Sequence, residues 1–237
     1  MILVPGRLPV TYLFLLARVL SRAASAQSRP GEWLTMTAGD FCVTEGSLEK
    51  GPGDRLSVNV PKMRAYVNRA TAPSAEIRFR YVGPTKEESK LGSGQVRTQF
   101  GLKLQAQDPC NLVYVIWRIE PESKLVVSLK RNPSEHTSAQ CGNRGYTNIK
   151  PSKASAVPRI AAGQSHTLRA ELNEQALRVF VDNKGVWEGD VGRGAARLEG
   201  PVGIRTDNAQ LEFSYLARRP GGNTPTYVLA CKSGDSD

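Results

Sequence analysis

The residues of this 237-residue chain best suited to act on another molecule are arginines and tyrosines placed at alternating positions along extended stretches. In "NLVYVIWRI" (111–119) the spacing puts Tyr114 and Arg118 on one face of a strand and Val113, Val115, Trp117 and Ile119 on the other. In "VRTQFGLKLQ" (96–105) it groups Arg97, Gln99, Lys103 and Gln105 opposite Val96, Thr98, Phe100, Leu102 and Leu104. A guanidinium can donate two parallel hydrogen bonds to a carboxylate, sulfate or phosphate, and a tyrosine ring offers a flat face. Tyr114, Arg118, Arg97 and Lys103 are therefore candidate ligand contacts, together with Arg144 and Tyr146 from the aperiodic stretch 131–163. That stretch is too long to be an idle connector. Arg78, Arg80, Arg169, Glu171 and Arg178 also point outward by alternation. Two arrangements are open: all these groups share one binding face, or they divide between two sheets with separate solvated faces.

Other chemistries find few residues. Hydrolysis of a glycosidic bond needs two flanking carboxyls, and the nearest strings are Glu188 with Asp190 in "WEGDVGR" and Glu120 with Glu122 around Pro121, the second reading as a turn. The two histidines, His136 and His166, are isolated, and Ser165 is only a sequence neighbour of His166. With no Cys-x-x-Cys pair and no glycine-rich phosphate loop, neither a metal nor a cofactor is expected. The net charge is +10, but basic residues alternate with apolar ones instead of forming a tract, which disfavours nucleic acid as a partner.

The elements that must position these groups are strands. "AEIRFRY" (75–81) alternates strictly; "NLVYVIWRI" is apolar on nearly every position, as a central strand is; "EPES" then turns the chain into "KLVVSLK". His166 to Leu172 sends Leu168, Ala170 and Leu172 inward, "NEQ" turns, and Leu177, Val179 and Val181 follow. "DNKG" makes a second turn, in which Gly185 can accept positive φ, before Val186 and Trp187. "GPVGIRT" and "AQLEFSYLA", joined at Asp207-Asn208, are expected to form a further pair. Trp117 and Trp187 read as core and Trp33 as exposed, and no helix is expected after the leader. "GPTKEESKLGSG" (83–94) reads as a polar, glycine-bounded rim.

Residues 1–26 have the pattern of a secretory signal: Arg7, the apolar stretch "LPVTYLFLLA", then Ala24-Ser25-Ala26. Residues 27–237 are expected to form one all-β domain, a two-sheet antiparallel β-sandwich or jelly roll, secreted or periplasmic and with no membrane span. In an oxidising compartment the four cysteines suggest two disulfides. Three pairings exist; Cys42 with Cys231 is preferred because first and last strands of a sandwich often lie together, and Cys110 with Cys141 because it ties a long loop to a strand start.

The run "HTLRAELNEQALRVFVDNKGVWEG", followed by "GPVGIRTDNAQLEFSYLA", resembles the C-terminal half of concanavalin A-like lectin/glucanase domains. It is most similar to their laminin G-like and 3-keto-disaccharide hydrolase-type branches. The likeness covers 163–217 well and 75–130 only as a strand pattern. It implies a concanavalin A-like jelly roll with a concave, sugar-binding sheet that the 163–189 meander helps to build. Glucanases of this fold carry Glu-x-Asp-x-x-Glu on one strand; here Arg193 stands where the third acid would fall. The resulting expectation is a secreted module for carbohydrate or another extracellular polymer, with anionic glycans as the sharper form. A glycoside or 3-keto-sugar hydrolase-like enzyme and a structural adhesion module are the alternatives.

Overall fold

The computed structural model describes residues 1–2, 31–221 and 231; the expected leader lies almost wholly outside them. Sixteen strands are present among the described residues. The first five are short: β1 (Trp33–Met36), β2 (Phe41–Glu45), β3 (Glu49–Lys50), β4 (Leu56–Val58) and β5 (Lys62–Val67). Four longer ones follow: β6 (Ser74–Pro84), β7 (Thr98–Asp108), β8 (Asn111–Glu120) and β9 (Lys124–Lys130). The chain continues through β10 (Tyr146–Asn148), β11 (Lys153–Ala154), β12 (Ser165–Asn173), β13 (Ala176–Val181), β14 (Lys184–Asp190), β15 (Gly203–Asp207) and β16 (Ala209–Arg218). Four short helical segments among the described residues, Ala38–Asp40, Pro52–Asp54, Ser138–Cys141 and Gly192–Ala196, depart from the expectation of no helix.

The strands form two antiparallel sheets packed face to face. One has nine strands in the order β11-β14-β13-β12-β6-β16-β4-β3, with β1 also on β16; the other has seven, β10-β9-β8-β7-β15-β5-β2. Alternation explains the packing. Ile77, Phe79 and Tyr81 of β6 and Leu168, Ala170 and Leu172 of β12 face Phe100, Leu102 and Leu104 of β7 and Val113, Val115 and Trp117 of β8 in a single core. Phe79 lies 4.4 Å from Phe100 and edge-on to Trp117 at 5.8 Å between ring centroids, spacings favourable for aromatic pairs. Tyr215 is buried and donates its hydroxyl to the Gly203 carbonyl at 2.8 Å, so its one polar atom is satisfied. Trp117 and Trp187 are core residues, whereas Trp33 is half-buried.

Several expectations change. β15 and β16 are not a hairpin: β15 inserts between β7 and β5 in the seven-stranded sheet, while β16 crosses to the other sheet beside β6 and β4. Asn208, at φ 52°, makes that crossing. In the "DNKG" turn the positive φ values fall on Asp182 and Asn183, not Gly185, because a two-residue hairpin turn needs both central residues left-handed. Val96 precedes β7 and is 42% exposed. The 163–189 meander, β12 to β14, belongs to the nine-stranded sheet.

Two disulfides staple the sandwich. Cys42 of β2 joins Cys231 with Cα atoms 5.2 Å apart, and Cys110 at the β7–β8 turn joins Cys141 at 5.8 Å. The first and last strands do lie together, Trp33 opposite Arg218 and Met36 opposite Tyr215, but the bridge runs from the second strand to the segment beyond β16.

Candidate functional site

The outer face of the seven-stranded sheet carries a cavity of about 230 Å³. Its floor is built from alternate residues of adjacent strands: Tyr114, Ile116 and Arg118 of β8, Val126 and Ser128 of β9, and Tyr146 and Asn148 of β10. Gln99 of β7 and Arg205 of β15 complete the floor, and Arg97 stands at the root of β7. Above it are Leu91, Gly92 and Ser93 of the 85–97 loop and Asn143 of the disulfide-held loop. Gly101 keeps β7 tight against β8, since a Cβ there would lie 2.1 Å from the Val115 carbonyl oxygen.

An ionic cluster anchors the floor. Asp207, at the end of β15, accepts from Arg64 at 2.5 Å, Arg205 at 2.9 Å and Gln99 at 2.8 Å. Burial by itself would raise its carboxyl pKa, but the charges of Arg64 and Arg205 and the hydrogen bonds more than offset this and hold it well below the usual carboxylate range. Arg64 also donates to the carbonyls of Met63 and Thr206. Arg205, held by Asp207, lies over the Tyr114 ring at 5.3 Å. The Tyr114 ring stacks on Tyr146 at 6.0 Å and 22°, and Lys130 sits over Tyr146 at 5.2 Å.

This layering assigns the two tyrosines different tasks. Tyr114 is only 1% exposed, so it supports the floor, whereas Tyr146 is 38% exposed and offers the accessible ring. At the other end Arg118 and Arg97 are close enough to repel. Burial first, and the Arg97 charge second, bring the Arg118 guanidinium below the usual arginine range, with Glu122 opposing. The Arg118 Nε is buried and makes no hydrogen bond. The charged groups lining the cavity are Arg97, Arg118 and Arg205, with no carboxylate among them.

Four of the expected residues thus come together: Tyr114, Arg118, Arg97 and Tyr146. Lys103 is buried beside Tyr114 and lines no part of the cavity. Arg144 lies outside it, paired with Glu135 at 2.6 Å and donating to the carbonyls of Gln140 and Cys141; its neighbour Asn143 is the residue that reaches in. Arg78, Arg80, Arg169, Glu171 and Arg178 lie on the other sheet, so the outward charges divide between two faces. Glu188 sits with Lys153 at a sheet edge, and Asp190 caps the Gly192 amide. Sequence reasoning missed Arg205, although alternation within "GPVGIRT" opposes it to Ile204 and Thr206 and could have placed it outward.

No family model and no curated protein sequence matches this chain. Among solved structures, it is similar to the carbohydrate-binding module CBM66 from Bacillus subtilis, with TM-score 0.51 and 13% identity over 75% of this chain and 92% of that one. It is also similar to domain 4 of an extracellular arabinanase from Geobacillus stearothermophilus in complex with arabinotriose (TM-score 0.43, 11% identity, covering 80% and 82%). An apo Crh5 transglycosylase gives TM-score 0.48 and 13% identity over 83% and 87%. The fold is a two-sheet antiparallel β-sandwich of the jelly-roll kind.

Proposed function

We propose that this protein is a secreted carbohydrate-binding module whose groove on the seven-stranded sheet takes an acidic glycan. The observation that carries this reading is the lining of the cavity: three arginines without a carboxylate, the exposed ring of Tyr146, and the uncharged polar side chains of Ser128, Asn143 and Asn148. Guanidinium forks suit the anionic substituent, and an aromatic face with amides and hydroxyls suits the sugar ring. Two disulfides and the leader pattern of residues 1–26 support an oxidising destination. The likeness of residues 163–217 to laminin G-like and 3-keto-disaccharide hydrolase-type domains supports the sandwich, but that meander lies in the nine-stranded sheet, away from the arginine-lined groove. Hydrolysis finds no pair of carboxyls in this lining.

The test is a glycan array probed with residues 27–237 at two salt concentrations beside an Arg118→Ala variant. Binding to acidic glycans that weakens with salt and falls about tenfold or more in the variant supports the reading, since a hydrogen bond to a charged group contributes about 1.5–3 kcal/mol. Preference for neutral glycans, or binding indifferent to Arg118, overturns the anionic assignment.

A further inference from the structure

Two loops from opposite sides meet above the cavity. Gly92, at the tip of the 85–97 loop, lies against Asn143 of the loop after the Ser138–Cys141 turn: a Cβ on Gly92 would lie 3.3 Å from the Asn143 Cβ. Both residues line the same cavity, so their contact is a bridge over its floor. Each arm of the bridge has a stiff root. On one side Asn208 accepts from the Ser89 amide at 2.8 Å and donates to the carbonyls of Ser89 and Arg97 at 2.9 and 3.0 Å. Leu91 also bonds with Gln95 and Gly94 through the backbone. On the other side the Cys110–Cys141 disulfide fixes the loop. Asn111 donates to the carbonyls of Asn132 and Glu135 at 3.2 and 3.0 Å, and Arg144 pairs with Glu135.

The bridge restricts what can enter. A sugar within a polymer carries a chain in two directions and needs an open trough, whereas a terminal sugar carries it in one. The cavity of about 230 Å³ is smaller than the roughly 300–1,000 Å³ that accommodates drug-sized ligands, a size for a single ring with its substituents. We propose that the bridged groove captures the terminal residue of an acidic glycan, with Gly92 and Asn143 determining end recognition. The anionic substituent meets Arg97 and Arg118, and the ring lies against Tyr146. This proposal rests on the acidic-glycan reading above.

The experiment is titration calorimetry of the disulfide-intact protein with size-fractionated oligogalacturonides, and in parallel with hyaluronan and alginate fragments, from short to long. End recognition gives one protein bound per chain at every length, with affinity per chain unchanged. Stoichiometry that rises with chain length overturns end recognition and leaves the acidic-glycan reading standing; absence of binding to all three series overturns both. An Asn143→Gly variant, checked for an unchanged melting temperature, is expected to open the bridge and let stoichiometry on long chains rise severalfold. Unchanged stoichiometry in a folded variant overturns the role of the bridge.

Discussion

The outer faces of the two sheets are made of the same residue types and behave differently. On the nine-stranded sheet, strand register sets opposite charges across from one another: Arg169 opposite Glu76, Glu171 opposite Arg178, and Glu212 opposite Arg80. Glu76 pairs with Arg78 at 2.6 Å and Arg169 at 3.6 Å, and Arg169 covers the Phe180 ring at 4.4 Å. On the seven-stranded sheet the register opposes like or neutral groups: Arg205 to Arg64, Gln99 to Arg118, Lys103 to Tyr114 and Lys130 to Tyr146. Asp207 bridges the first of these. One face therefore sets cations against carboxylates across its strands, whereas the cavity on the other is lined by Arg97, Arg118 and Arg205 with no carboxylate among the lining residues. Register, more than composition, decides which face is available to an anion.

The largest effect expected from disturbing this contrast is on Asp207. Asp207→Ala leaves Arg64 buried without its carboxylate and should cost about 3–5 kcal/mol, measured by urea denaturation, whereas Glu212→Gln, which loosens the more exposed pair with Arg80 on the opposite face, should cost about 1 kcal/mol or less. Comparable losses for the two would contradict the contrast. The same carboxyl predicts a pH dependence. Its folded pKa lies below the unfolded value of about 3.9, so its contribution is present above that value and is lost as pH falls through it toward the folded one. The urea midpoint should drop below about pH 5, and Asp207→Asn should flatten that part of the profile.

Next in size is the Cys110–Cys141 bridge, which closes a 31-residue interval. The Cys110→Ser, Cys141→Ser double variant should lose on the order of 3 kcal/mol and, with its loop released, affinity for acidic glycans; a stable variant that still binds would detach the loop from the groove. Tyr146→Ala should weaken binding by about 1 kcal/mol at low and high salt alike, unlike an arginine substitution, because the ring's contribution is not Coulombic; titration at two ionic strengths separates them. The smallest effect is expected from Arg80→Ala with Arg169→Ala: glycan affinity unchanged within error, with any measurable loss placing ligand on the nine-stranded face.

Much of the scaffold was legible. The strands from β6 to β9 and from β12 to β16 follow the alternation of Ile77-Phe79-Tyr81 or Leu211-Phe213-Tyr215, a signal carried by each segment alone. The five strands from Trp33 to Val67 and the edge strands β10 and β11 gave no such signal; β3, β4, β10 and β11 have only two or three residues, too few for alternation to show. For the site, Arg97, Tyr114 and Arg118 were recognisable by residue type and facing, and Tyr146 by its type within the long aperiodic stretch 131–163. Arg205 was legible by the same alternation but went unnoticed, and its place beside Tyr114 depended on β15 lying against β7 rather than β16.

The amino-acid order by itself determined which side chains share a face, since that depends only on the two-residue period of an extended chain. It also supplied the turns, the inward aromatic residues and the cationic surplus. Sheet partners depend on contacts between residues far apart in the chain, and only the tertiary structure decided them. That is why it alone moved the meander to the nine-stranded sheet, set Arg205 on Asp207 beneath the tyrosines, buried Tyr114 while exposing Tyr146, and brought Gly92 against Asn143.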